Sequence, residues 1–337
     1  MQNGIIIDQT RPDHYSVLKS VKKFLKKLGI RKVHYRLVFW SLEYVFFRLF
    51  RRRKKICILR PKWAGMGLFC YFNNVLAGIV YAKRRNMIPV VDMRTLPNTY
   101  LYDDEVGRVN SWEYYFAQPD GIQLDEALRL EDAVITKIPF PDMEMWPQVY
   151  AEFFLDYCWQ LTFWRKICRK YIHFVPAVHE RFRRMKEKHD GKKILGVLVR
   201  GTDYIATKPS GHPIPPTAEQ AIAKAQEAMK GSNFDAVYLA TEDKKIVAKF
   251  HEAFEDKLIL PEADYVDYDY DNPVLLYKYN AGRSNDKYLR GLEYLVSMLF
   301  LSKCAGFITS GTSGSAGVMC LSEGFEYLYF FDLGVYP

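Results

Sequence analysis

No two of the six cysteines in this 337-residue chain stand at C-x-x-C spacing, which excludes the common zinc and dithiol redox motifs. Cys57, Cys70, Cys158, Cys168, Cys304 and Cys320 lie within apolar runs, where a thiol behaves as a small hydrophobe, and a reducing, cytoplasmic setting suits them. The most apolar stretch near the N-terminus, Leu37 to Phe50, stops at fourteen residues, short of the roughly 20 that cross a bilayer. Asp8 and Asp13 sit where a secretory leader would carry its apolar core. The chain has no G-K-S/T, so a P-loop ATPase is excluded. Gly65-Met66-Gly67-Leu68-Phe69-Cys70 puts Cys70 in the place of the third glycine of a dinucleotide fingerprint, which counts against a dehydrogenase or epimerase. Internal repeats and low-complexity tracts are also missing.

The chain is globular in composition, 49% hydrophobic and 26% charged, with aromatics at 15%. Its net charge of +9 is unevenly placed. Residues 1–55 hold 15 Lys/Arg against 3 Asp/Glu, leaving 33 against 36 for the remainder. A nucleic-acid enzyme spreads basic charge over its binding face; here the excess belongs to an arm, and no nucleic-acid partner is expected. Val17, Leu18, Val21, Phe24, Leu25 and Leu28 follow helical spacing, with Lys19, Lys22, Lys23, Lys26 and Lys27 opposite. The Leu37 to Phe50 stretch that follows, running into Arg51 to Lys55, suits a helix lying at an anionic membrane surface; equally, the arm can cap the first domain with its lysines in water.

From Ile56 the chain alternates. Ile56–Leu59 reads as a strand, Leu68–Arg85 as a helix and Met87–Asp92 as a second strand, a parallel βαβ unit. Residues 95–190 read as aromatic, helical and loop-rich, Tyr150–Tyr171 being the longest helix. A second series starts at Ile194: strands at Ile194–Val199, Ala236–Ala240, Lys257–Leu260, Gly306–Ser310 and Phe325–Phe331, with helices at Thr217–Lys230, Lys244–Phe254 and Tyr288–Ser302. This is an α/β pattern with doubly wound sheets. It divides into an arm (1–55), an N-terminal domain (56–185) and a C-terminal domain (186–337).

Ligands of open α/β sheets gather beyond the carboxyl ends of the strands, and four segments lie there. Gly65-Met66-Gly67 lets backbone amides approach a phosphate at a helix start; it is also an ordinary tight turn. Arg200, leaving a buried strand, is costly unless it meets an anion, and its fork suits a diphosphate; alternatively it pairs with Asp203 to stiffen the loop. The long loop that follows carries His212. Thr241 and Asp243 close the next strand, as a nucleotide contact or as a helix N-cap. Ser310, Thr312 and Ser313, among glycines, form a nest of N–H and O–H donors suited to phosphate oxygens.

Taken in order, these segments resemble the superfamily of α1,2-, α1,6- and protein O-fucosyltransferases. The Gly65–Gly67 turn resembles its glycine loop, Leu198–Tyr204 its H-x-R-R-x-D strand end, and Tyr238–Asp243 its "YxATDD" strand. Leu289–Gly291, Leu301–Cys304 and Ser310–Ser313 resemble its third block. The resemblance implies a GT-B fold, with two Rossmann-like domains facing across a cleft. It also implies an inverting mechanism, a GDP-fucose donor, a glycan acceptor (free or lipid-linked) and no metal or other cofactor. No D-x-D is read directly at a strand end, Asp103-Asp104 lying in a loop. By position, Arg200 inherits the arginine that stabilises the departing diphosphate. Ser310, Thr312 and Ser313 inherit phosphate contacts and Thr241 and Asp243 contacts near the nucleotide; the family supplies no uniform base, and Asp203 and His212 are the candidates for taking the acceptor proton. The chain departs from the family with Leu198 for histidine, Gly201 for the second arginine, Leu68 for the glycine-loop asparagine and Ser297 for an aspartate, with Glu293 one turn away as a replacement. The alternatives are a different nucleotide sugar and a non-catalytic nucleotide-sugar-binding protein of polysaccharide assembly, with the arm holding the chain peripherally at a membrane.

Overall fold

The computed structural model describes residues 54–138, 158–279 and 281–337, together with Ile5, Ile6 and Val45. The basic amphipathic helix, the Leu37–Phe50 segment and the first part of the Tyr150–Tyr171 helix lie outside the described residues. No helix among the described residues is long and apolar enough to cross a membrane.

Two parallel sheets organise the chain. The first contains β1 (Ile5–Ile6), β2 (Ile56–Pro61), β3 (Ile88–Val91) and β4 (Val134–Ile138), in the order β1-β4-β2-β3. β2 and β3 flank α1 (Leu68–Arg84), as the sequence pattern predicts. β4 was not read from the sequence: only its end residues Val134 and Ile138 are buried, Ile135 and Thr136 are half-buried and Lys137 is open to solvent, which hides it among loops. A short α2 (Leu124–Leu128) precedes β4, and α3 (Cys158–Tyr171) and α4 (Pro176–Glu187) follow it.

The second sheet contains β5 (Ile194–Leu198), β6 (Ala236–Ala240), β7 (Leu258–Ile259), β8 (Gly306–Ser310) and β9 (Tyr327–Phe331), in the order β7-β6-β5-β8-β9. Every pair is parallel. β5, β6 and β8 are buried along their whole length, as strands covered by helices on both faces must be. Their connections carry α5 (Thr202–Thr207), α6 (Ala218–Gly231), α7 (Lys244–Phe254), α8 (Asp286–Leu301) and α9 (Ser313–Leu321). Thr217 starts α6 with a capping box to Gln220.

One apolar cluster runs through both sheets, from Cys57 and Leu59 to Tyr238 and Phe307. Two glycines permit the close approach behind it. A Cβ on Gly317 of α9 would overlap the Phe69 ring of α1, and one on Gly291 of α8 would overlap the Tyr115 hydroxyl. Tyr115 also donates to the Tyr288 carbonyl at 3.0 Å.

Candidate functional site

Strand order in the second sheet reverses between β5 and β8, since the chain runs outward to β6 and β7 before returning to β8. A crevice opens at such a switch point beyond the carboxyl ends. β5 and β8 pair in register from Leu195↔Gly306 to Val197↔Ile308. Continuing that register sets the residues before Arg200 beside those leading to Ser310 and Thr312. Two of the four segments therefore converge on one crevice.

Arg200 keeps 27% of its side chain exposed while Nη2 reaches Asp203 Oδ1 at 3.1 Å and Nη1 reaches Glu242 Oε1 at 3.3 Å. Burial works against its charge, but Glu242 and then Asp203 outweigh it and hold the guanidinium above its ordinary range. Glu242 also accepts from the Gly201 amide at 3.1 Å and the Thr202 hydroxyl at 2.9 Å. Thr202 has φ of +51°, a left-handed conformation that a β-branched residue adopts only under constraint. The constraints are visible: its amide meets the Tyr270 hydroxyl at 3.2 Å, and its hydroxyl is held by Glu242. A Cβ on Gly201 would lie 2.7 Å from Asp243 Oδ2, so only glycine lets β5 leave the sheet so close to α7.

Asp243 is the N-cap of α7, the alternative its position left open: Oδ1 accepts from the Lys245 amide at 2.8 Å. Its other oxygen takes the Tyr270 hydroxyl and, at 3.4 Å, the Thr202 amide. Asp243 is fully buried; the carboxylate of this turn that faces Arg200 is Glu242. Thr241 is half-buried, its hydroxyl accepting from the Asp243 amide at 3.3 Å.

The nest after β8 is built on Ser315, which is fully buried. Its hydroxyl donates to the Ser310 carbonyl at 2.7 Å and meets Thr309 Oγ1 at 2.6 Å and Thr312 Oγ1 at 2.7 Å. Thr312 is the N-cap of α9, accepting from the Ser315 amide at 3.0 Å. These hydroxyls shape the turn. Ser313 and Gly314 occupy the first two helical positions, whose amides have no acceptor within the helix, and they carry the positive end of its dipole.

Tyr294 of α8 links the two halves of the crevice and was not singled out from sequence. Its hydroxyl is 2.5 Å from where a Gly314 Cβ would stand. Burial pushes it up to about 12, against the pull of Arg200. Mid-helix, it gave no signal beyond core periodicity.

His212 is exposed, its Nδ1 2.6 Å from the Tyr204 hydroxyl. The Arg200 guanidinium lies 5.5 Å from the Tyr204 ring centre, so His212 borders the same crevice. Asp203 bridges outward: Oδ2 accepts from the Leu276 amide at 2.9 Å, tying the long loop between β7 and α8 to Arg200. Through that loop Tyr277 lies over Gly65, two ring atoms standing 3.0 Å from where a Cβ would be. The carbonyls of the glycine turn are already engaged, Ala64 and Met66 accepting from Thr99 at 3.0 and 2.8 Å. A Cβ on Gly67 would meet nothing within 4 Å.

The replacements suggested for missing family residues are spent elsewhere. Ser297 accepts from the Tyr238 hydroxyl at 2.9 Å within the core. Glu293 grips Arg283 through two bonds of 2.7 Å each. The loop after β7 also holds two overlapping D-x-D triplets, Asp267 to Asp271, that the sequence reading passed over. Asp269 there closes its own turn on the amides of Asp271 and Asn272, at 2.9 and 3.2 Å. Among the described residues no group of three His, Cys, Asp or Glu side chains is arranged to hold a metal ion.

No protein-family model and no curated protein matches the sequence. Solved structures do. NodZ alpha-1,6-fucosyltransferase soaked with GDP-fucose aligns over 83% of this chain and 96% of its own, at 15% identity and a TM-score of 0.51. Selenomethionine NodZ from Bradyrhizobium gives the same figures, 15%, 83%, 96% and 0.51. POFUT1 in complex with GDP, at 11% identity, 83% and 99% coverage and a TM-score of 0.49, is too distant to add to this. With its parallel sheets, its crevice at the β5–β8 reversal and this alignment along most of its length, the chain has a fucosyltransferase-like, GT-B-type fold.

Proposed function

We propose that the chain is an inverting, metal-independent glycosyltransferase that moves fucose from GDP-fucose to a hydroxyl of a glycan, with the two sheets as acceptor and donor halves. One observation carries the reading: the strands that lead to Arg200 and to the start of α9 pair side by side at the switch point, and Tyr294, beside Gly314, feels the Arg200 charge. A guanidinium, two helix-start amides and a dipole together match the charge and shape of a diphosphate. The fold neighbour that was soaked with GDP-fucose favours that donor over other nucleotide sugars.

In this reading the acceptor oxygen attacks the anomeric carbon from the face opposite the diphosphate. The bond from that carbon to the β-phosphate oxygen breaks, and its electron pair leaves with GDP. Arg200 and the amides of Ser313 and Gly314 take up the developing charge without reorganising. Glu242 and Asp203 hold the guanidinium in place beforehand. Both Asp203 oxygens are engaged, so exposed His212, held at Nδ1 by Tyr204, is the better placed to take the acceptor proton. Thr241, its hydroxyl turned to the Asp243 amide, and Asp243 support the Arg200 turn.

The test is release of GDP from GDP-fucose by the purified chain, with and without EDTA. Arg200→Ala should lower turnover about 100- to 1,000-fold, roughly 3–4 kcal/mol of barrier. Equal rates would remove Arg200 from the chemistry, and abolition by EDTA would overturn metal independence. GDP binding with no turnover on any glycan would favour the non-catalytic reading.

A further inference from the structure

The first sheet has its own reversal. The chain passes from β2 to β3 on one side, while β4 returns on the other side of β2. The carboxyl ends of β2 and β4 meet there, the Lys62 amide bonding the Ile138 carbonyl at 3.0 Å. The next residue is Trp63, and it is 53% exposed. A tryptophan in such a place loses the burial that normally rewards its size. Its backbone is held: the Tyr71 hydroxyl contacts the carbonyls of Trp63 and Ala64 at 2.8 and 2.7 Å.

A second ring arrives from the opposite half. Tyr277, 39% exposed, lies over Gly65, two residues from Trp63. Its loop is fixed on both sides of the peptide, the Leu276 amide by Asp203 and the Leu276 carbonyl by Arg290 at 3.2 Å. Lys62 stands 4.8 Å from the Trp63 ring centre and Lys278 stands 5.8 Å from that of Tyr277. Two partly exposed rings, each with an ammonium over it, do not make a continuous apolar groove. They suit a ligand with one apolar face and a polar rim. A pyranose ring has that character, its axial C–H bonds resting on the negative face of a π system while hydroxyls reach outward.

We propose that Trp63 and Tyr277 form the acceptor subsite, on which a pyranose of the glycan stacks so that its neighbouring hydroxyl faces the Arg200 crevice. This deepens the transferase reading and rests on it for the word acceptor. Asp203 couples the two subsites, since one carboxylate holds both Arg200 and the loop bearing Tyr277.

The experiment titrates the full chain, saturated with GDP, with a panel of mono- to tetrasaccharides of glucose, galactose, mannose and N-acetylglucosamine, and measures the affinity for GDP separately. The sugar bound by the wild type should bind Trp63→Ala and Tyr277→Ala at least tenfold more weakly. Trp63→Phe, which keeps a ring, should stay within about threefold. GDP affinity should be unchanged in all three variants. Undiminished sugar binding by Trp63→Ala, loss of GDP affinity in the same variant, or no sugar bound by the wild type would each overturn the subsite. Failure of the wild type to bind GDP, with ring-dependent sugar binding intact, would instead sink the donor assignment and leave the platform standing.

Discussion

The turns after β2 and after β8 are built alike, each a parallel strand, a glycine-containing turn and a helix, yet they end in opposite environments. At the first, α1 starts from Gly67 without a side-chain cap, and its opening residues Leu68 and Phe69 are both buried at 1% exposure. At the second, Thr312 caps the start of α9 and leaves the amides of Ser313 and Gly314 without an acceptor in the helix. A pair of glycines permits close approach, but the surroundings decide what approaches. The Tyr277 ring lies over Gly65 before α1; the Tyr294 hydroxyl lies over Gly314, where the α9 dipole ends.

Adding one methyl group to each helix start should break the symmetry most sharply. A Cβ on Gly314 would stand 2.5 Å from the Tyr294 hydroxyl, and that ring is packed edge-on against Phe69 at 5.5 Å. Gly314→Ala must displace Tyr294 or tilt the helix start, so GDP should bind about tenfold or more weakly, roughly 1.4 kcal/mol or above. Gly67→Ala meets open space at φ of −68°. It should leave GDP affinity within about twofold and shift stability by less than about 1 kcal/mol, since the stiffer unfolded chain and the N-cap preference for glycine over alanine oppose each other. Calorimetric titration of both variants with GDP settles the pair, and equal losses would erase the distinction.

A smaller effect is expected from the cap alone. Thr312→Ala removes the acceptor of the Ser315 amide and one neighbour of the buried Ser315 hydroxyl. The cost should be about 1–2 kcal/mol of stability in urea unfolding, with GDP affinity weakened a fewfold because the donors on the helix are amides and not this hydroxyl. Abolished GDP binding in a folded Thr312→Ala would show that the hydroxyl itself holds the ligand.

These contrasts also mark what the sequence could disclose. β5, β6 and β8 stood out because strands buried on both faces are unbroken apolar runs, and Arg200 stood out because a charge ends such a run. β4 did not, since its five residues mix core positions with open Lys137. Within the β6 turn, Glu242 and Asp243 are adjacent carboxylates, and one peptide rotation decides which is buried as a cap and which turns to Arg200. Composition carries no trace of that choice. Tyr294 and Tyr277 enter the site from a helix interior and a long loop, through packing between elements remote in sequence. Gly65 and Gly67 read as a phosphate turn, and the Tyr277 ring is seated over Gly65.

Cys70 reports on the same difference through chemistry alone. It is the third residue of α1, a position where a helix dipole ordinarily lowers a thiol and makes it reactive. Here burial pushes it from 9.0 up to about 11, against hydrogen bonds from Ser313 and Asn74. Desolvation therefore outweighs both hydrogen bonds at this half-buried position. A raised folded value means that the neutral thiol is favoured by folding, so its contribution to stability is complete below pH 9 and is lost as pH rises through 11. At pH 8.5 Cys70 should carry about 100-fold less thiolate than an unperturbed cysteine. Peptide mapping after iodoacetamide treatment should find it unmodified in the native chain and modified in urea. Rapid native labelling at that pH would mean that the start of α1 is electropositive and open after all, and would return the glycine turn to the list of anion sites.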